Sequence, residues 1–182
     1  MIKNSLVSRT LIVVPEGTSS VGDRALPSPA YRGSLDAVKN IARKKDVIIL
    51  APANKFNFSK FEQDYAKDYL ADIAPHLDVR VAATVRNKYV DTMGNASLLN
   101  DQLQDLGLES KNCILVVNAI HAYRAKSAFR YHGFKIECMY QTSSQQFLEN
   151  ERLPIRLFYY RYKKVHFIYE RIAQFYQLFR YF

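Results

Sequence analysis

Five short runs of apolar, mostly β-branched residues recur along the chain, separated by stretches of helical periodicity. This alternation constrains the fold more than any other feature. The runs are Leu11-Ile12-Val13-Val14, Val47-Ile48-Ile49-Leu50, Val79-Arg80-Val81-Ala82, Cys113-Ile114-Leu115-Val116-Val117 and Phe134-Lys135-Ile136-Glu137-Cys138. The first, second and fourth are continuous, as strands covered on both faces must be. The third and fifth carry charge in alternation and suit outer strands. Between the runs, apolar residues return every three or four positions: Leu35, Val38, Ile41 and Ala42; Phe61, Tyr65, Tyr69, Leu70 and Ile73; Leu98, Leu99, Leu103 and Leu106; Ala122, Ala125, Ala128 and Phe129. Strand and helix alternating in this way predict an α/β domain with right-handed crossovers and a mostly parallel, doubly wound five-stranded sheet, the fourth strand central.

The pattern changes near residue 152. From Ile155 the residues Phe158, Tyr162, Val165, Tyr169, Ile172, Tyr176 and Phe179 follow in steps of three and four, which predicts one long helix, or two joined, with a continuous apolar seam. The expected organisation is an α/β ligand-binding domain over 1–151 and a helical extension of it over 152–182. The net charge is +9, and the extension alone holds seven basic residues, one acid (Glu170) and 11 of the 24 aromatics. Questions about partners therefore centre on the tail. Three readings stand side by side. The seam packs on the body or on a second copy as a homo-oligomer. Alternatively, Arg156, Arg161, Lys163, Lys164 and Arg171 beside Phe and Tyr suit an interfacial helix on an anionic membrane surface. The third, nucleic acid, lacks any recognition motif, His132-Gly133-Phe134-Lys135 being a superficial echo.

Several classes are excluded by composition and spacing. No run approaches the roughly 18–20 apolar residues of a membrane span, and the apolar run after Lys3 and Arg9 is too short for an export signal. The expectation is a cytoplasmic protein, or one peripheral to the inner membrane. Cys113 and Cys138 lie in apolar runs without ligands at metal spacing, so both read as reduced core residues and no metal site is expected.

Ligands of open parallel sheets bind outside the carboxyl ends of the strands, beside helix N-termini. The loop after the first run, Pro15-Glu16-Gly17-Thr18-Ser19-Ser20-Val21-Gly22-Asp23-Arg24, has P-loop glycine spacing but Asp23-Arg24 where Lys-Ser/Thr is needed. It reads as a hydroxyl-rich loop in which Gly17, Thr18, Ser19 and Ser20 could close over a ligand, or as a plain flexible loop; Pro27-Ser28-Pro29 reads as a rigid loop. Ala51-Pro52-Ala53-Asn54 offers Asn54. Asp91-Thr92-Met93-Gly94-Asn95 reads as a helix start with Asp91 or Thr92 as N-cap, Asn95 facing a polar ligand or merely capping. After the fourth run, Asn118 leads to His121 and Arg124, three apart and therefore on one face. An imidazole can transfer a proton near neutral pH and a guanidinium can grip a carboxylate or phosphate at two points. Alternatively His121 caps the helix and Arg124 pairs with an acid such as Asp91.

These two segments resemble the YdcF-like/SanA-like family, whose members show a Thr-x-x-Asn helix start and a strand running into His-x-x-Arg-Ala. Here they read Asp91-Thr92-Met93-Gly94-Asn95-Ala96 and Leu115 through Asn118, then His121-Ala122-Tyr123-Arg124-Ala125, Phe129 and Gly133; Arg32 is similar to the family's Arg at the first helix. The resemblance spans about residues 10 to 170. It implies a Rossmann-like fold, a site drawn from Arg32, Thr92, Asn95, His121 and Arg124, an association with bacterial cell-envelope biogenesis, and S-adenosylmethionine as a ligand of one member. The first two strand ends are Gly-rich in the family and are Pro15-Glu16-Gly17 and Ala51-Pro52-Ala53-Asn54 here. The expected function is binding of a small anionic or nucleotide-like metabolite at the carboxyl edge. If a reaction follows, it is that of a transferase or hydrolase acting on a phosphate- or carboxylate-bearing substrate, with His121 as acid/base. The alternative is an adaptor that breaks no bond and acts through its tail.

Overall fold

A strand buried on both faces needs apolar residues at every position, and the continuous runs occupy those places. The computed structural model describes residues 8–84, 89–108, 110–143 and 145–181; the first seven residues of the expected N-terminal segment and Phe182 at the end of the tail lie outside them. Five strands, β1 (Thr10–Val13), β4 (Val47–Leu50), β5 (Asp78–Val81), β6 (Asn112–Asn118) and β7 (Lys135–Thr142), form an all-parallel sheet ordered β5-β4-β1-β6-β7. The two charge-bearing runs are its edges, as expected. The centre is β1 rather than the fourth run, which becomes β6 beside it.

Successive side chains of a strand point to opposite faces, so each run feeds two cores. Leu11, Val13, Ile48, Leu50, Ile114 and Val116 pack under α1 (Pro29–Ile41) and α2 (Glu62–Ile73). Ile12, Ile49, Leu115 and Val117 pack under α3 (Thr92–Asp101) and α4 (Ala122–Tyr131), with Phe129 fully buried. A fully buried side chain of this size contributes ~1.5–3 kcal/mol, which makes the two-faced sheet the rigid part of the molecule. Cys113 belongs to this core. Cys138 does not: it is exposed on edge strand β7.

The helices begin where their caps dictate. Ser28 caps α1, accepting from the Tyr31 N–H (3.3 Å), and Pro29 follows at the first helical position, where a missing N–H costs nothing. The expected rigid loop is therefore a strand end and a helix cap. Asp91 caps α3 through the Gly94 N–H (2.8 Å).

The hydroxyl-rich loop is ordered as strand. Thr18–Val21 (β2) pairs antiparallel with Arg24–Pro27 (β3) across Gly22, whose φ of +56° a side-chain-bearing residue would resist, and with Glu151–Arg152 (β8) on the other side. The tail opens with a 3-10 helix, Ile155–Arg161, followed by α5, Lys163–Tyr181. Two joined helices were one of the expected forms. Most of the seam, however, faces away from the body: Ile155, Phe158, Ile172 and Phe179 are exposed, Tyr169 stacks on Tyr159, and α5 turns His166, Glu170 and Gln177 inward.

Candidate functional site

The chain runs outward from β1 through β4 to β5, then returns to lay β6 and β7 on the other side of β1. The carboxyl ends of β1 and β6 therefore flank the switch point where open α/β sheets receive ligands. Glu16, three residues past β1, fills that place. Its Oε1 accepts from the Asn118 N–H (3.2 Å) and pairs with His121 Nδ1 (2.9 Å), and its Oε2 accepts from the Tyr160 hydroxyl (2.6 Å). With Nδ1 donating to the carboxylate, a neutral ring presents Nε2 as an acceptor, and Thr92 Oγ1 lies 3.0 Å from it. Arg124 Nη1 donates to the same hydroxyl, while its Nε and Nη2 grip Glu170 on α5 at 2.7 and 2.8 Å. Glu16, His121, Thr92, Arg124 and Glu170 form one continuous chain of bonds from β1 to the tail.

Glu16, His121, Thr92 and Arg124 form one wall of a cavity of about 110 Å³ that is also lined by Gly17, Asn54, Asn95, Glu62, Arg156 and Tyr159. His121 and Thr92 are each 4% exposed. The tail roofs the cavity: Tyr159 stacks on Tyr169 (ring centroids 4.2 Å) and on Tyr160 (4.9 Å), and Tyr160 packs against His166. Gly17 marks the seam between floor and roof. Its φ is +93°, which favours glycine, and a Cβ there would stand 2.3 Å from Leu157 Cδ1 and displace that side chain.

The electrostatics are unbalanced at one point. Arg156 lies over the Phe56 ring, and its buried Nε and Nη2 have no hydrogen-bond partner among the described residues. The acid whose charge acts on it most is Glu62, with no hydrogen bond or ion pair between the two among the described residues. Glu62 accepts one bond, from the Gly17 N–H (3.0 Å), and burial, only partly opposed by Arg156 and that N–H, lifts its pKa to about 8. Burial thus favours its proton-bearing form well above the ordinary glutamate range. Glu170 differs: burial would raise its pKa, but His121, Arg124 and His166 together hold it below the ordinary value. Phe56 itself adopts φ +49°, a conformation costing a non-glycine residue ~1–2 kcal/mol and held where the guanidinium needs its ring.

Of the residues expected at the site, Gly17, Asn54, Thr92, Asn95, His121 and Arg124 line this one cavity. Two have their amides committed to structure. Asn54 exchanges two 2.8 Å bonds with the Val90 backbone. Asn95, in the amide orientation its surroundings satisfy, donates to the Pro52 and Asp91 carbonyls. Asn118 lies behind the wall; its Oδ1 accepts from the Ile120 N–H, and its Nδ2 has no partner among the described residues. Thr18, Ser19 and Ser20 are β2 residues, so of the four residues expected to close over a ligand only Gly17 lines the cavity. Ser19 instead bonds Glu151.

Arg32 is elsewhere. Its guanidinium makes a two-point bond to Glu151 (2.8 and 2.8 Å) and donates to the Pro27 and Gln146 carbonyls (2.7 Å each). Its donors are taken up in fastening the small sheet to α1. His121 occupies the N-cap position of α4 without a side-chain capping bond, and the acid partnering Arg124 is Glu170 rather than Asp91.

Glu16, Glu62, Arg156 and the tyrosine roof were not expected from the sequence. Glu16 carried a signal, an acid just past the end of a buried strand, and so did Glu170, the lone acid of a basic tail. Arg156 carried none. Among the described residues no cluster of His, Cys, Asp and Glu has the makings of a metal site. No protein-family model, curated protein or solved structure matches the chain.

Proposed function

We propose that the cleft at the switch point binds a small anionic metabolite, phosphate- or carboxylate-bearing, with Arg156 as the anion grip and His121 as the group able to move a proton. The observation that carries this reading is the pair of buried, unpartnered guanidinium nitrogens of Arg156 on the cavity wall, beside Glu62, whose carboxyl burial pushes toward its neutral form. Buried guanidinium donors without a partner are costly, and a bound anion removes that cost. The α3 N-terminus, with Thr92 on the same wall, favours negative charge there as well. The proton on Glu62 can be donated to a ligand oxygen.

The chemistry available is acid/base. Glu16 orients the imidazole, Nε2 faces a hydroxyl, and Arg124 is positioned to stabilise charge on that hydroxyl. This suits transfer or hydrolysis at a phosphoryl or acyl group. Nucleotide-like ligands fall in the same class, as does S-adenosylmethionine through its carboxylate. The role in cell-envelope biogenesis implied by the sequence resemblance would rest on such binding.

The test is a thermal-shift screen of the full chain with inorganic phosphate, nucleotides, sugar phosphates and S-adenosylmethionine. A ligand at 100 times its Kd stabilises by ~2.7 kcal/mol through mass action. Arg156→Gln should abolish the shift, and His121→Ala should remove turnover of any substrate found while keeping at least part of the binding. Absence of a shift with every anion, or an undiminished shift in Arg156→Gln, overturns the reading.

A further inference from the structure

The face α5 turns to the body is polar: His166, Glu170 and Gln177 are buried, with Ala173 between them. At 3.6 residues per turn these four occupy one narrow arc. The opposite arc is apolar, with Val165, Ile168, Ile172, Phe175 and Phe179 turned outward; Ile172 is 65% exposed and Phe179 77%. On the 3-10 helix ahead of it Phe158 and Ile155 are exposed as well. An outward apolar face of this length marks an interaction surface.

Charge selects what covers it. Among the described side chains from 152 to 179, Arg152, Arg161, Lys164 and Arg171 are exposed, and Arg156 partly so. The single acid, Glu170, faces inward and is bound by Arg124. Every exposed charge on this surface is therefore positive. Lys164 and Arg171, seven apart, line one margin of the arc, Arg171 lying over the Phe167 ring at 4.9 Å. A second copy fits poorly. An antiparallel two-fold pairing centred on Ile172 sets both Arg171 side chains beside the axis with no acid on the face to offset them. An apolar arc with a cationic margin and aromatic flanks is the pattern of a helix lying in the plane of an anionic bilayer surface. It does not span, since no helix among the described residues is long and apolar enough to cross a membrane.

We propose that α5 and the 3-10 helix ahead of it dock on an anionic lipid surface, with the apolar arc in the headgroup boundary and Lys164 and Arg171 among the phosphates. The proposal is independent of what the cleft binds.

The test is co-sedimentation of the full chain with vesicles of phosphatidylcholine alone and of phosphatidylcholine with phosphatidylglycerol. Binding to the anionic vesicles should be at least about tenfold tighter and should weaken in high salt. Ile172→Glu combined with Phe175→Glu, both on exposed positions, should abolish binding while leaving the thermal midpoint within a few degrees. Lys164→Glu combined with Arg171→Glu should remove the preference for anionic lipid. Equal binding to both vesicle types, no binding, or binding untouched by the arc variant overturns the proposal. So does a dimer seen by light scattering that Ile172→Glu dissolves in a protein indifferent to vesicles.

Discussion

Glu62 and Glu151 are both buried glutamates near the tail, and they respond oppositely to pH. The folded pKa of Glu62 is raised to about 8 by burial. Its contribution to stability is therefore complete below the unfolded value of 4.5 and is lost as pH rises through about 8. Glu62→Gln should flatten the stability–pH curve between those limits in urea titrations; an unchanged slope would mean that Glu62 is ionised at neutral pH. The same substitution should remove the weakening of phosphate binding that Glu62 ionisation imposes above pH 8. For Glu151, burial acts to raise the pKa but Arg32, Ser19 and the Leu148 N–H outweigh it, so its contribution is lost on acidification. Arg32→Ala strands that carboxylate. It should cost about 3–5 kcal/mol in denaturant midpoint analysis, whereas an Arg32 serving a ligand would lose affinity at little cost in stability. Sequence pattern could not separate these roles. His121 and Arg124 were legible because they share one helix face, whereas Arg32 reads as an anion grip until Glu151, 119 positions away, is brought against it.

Elements were legible to the extent that burial is written locally. Five strands and four helices could be read because a strand covered on both faces must be apolar at every position, and Val47–Leu50 or Cys113–Val117 has no other use. Thr18–Val21 escaped for the converse reason. Its hydroxyls carry no burial signal, and one of its two partners is the distant Glu151–Arg152. The seam of α5 shows the limit of periodicity: spacing states which residues share a face but not which face meets the body, and here the polar face does because Arg124 offers Glu170 a partner. The joint between the tail and the first loop is testable at Gly17. Gly17→Ala meets both an unfavourable φ and Leu157; it should destabilise the chain, and Leu157→Ala added to it should recover the steric part but not the part due to φ. Full recovery would show that the backbone conformation at 17 is not strained for alanine.

On the scale of the whole molecule, the roof and the sheet are separate cooperative units in prospect. The two cores around the sheet are large and apolar, while the roof rests on a small cluster of Ala30, Leu157, Tyr159 and Tyr160 and on buried polar groups. Two of those groups act together in acid. Burial lowers the pKa of His166, whose ring nitrogens have no hydrogen-bond partner among the described residues and lie no nearer than 4.0 Å to Glu170. Its contribution to stability is present above the ordinary histidine value of 6.5 and is lost as pH falls through the lowered folded value. Glu170, also held low, loses its contribution below the ordinary glutamate range. Acidification should therefore loosen the roof before the sheet melts. The part of the near-ultraviolet tyrosine circular dichroism contributed by the stacked Tyr159, Tyr160 and Tyr169 should decay at higher pH than the far-ultraviolet signal. His166→Phe should shift that first transition to lower pH, because a buried ring that cannot take a proton removes the window that opens at the higher pH. Coincident transitions for both signals would show that roof and sheet unfold as one.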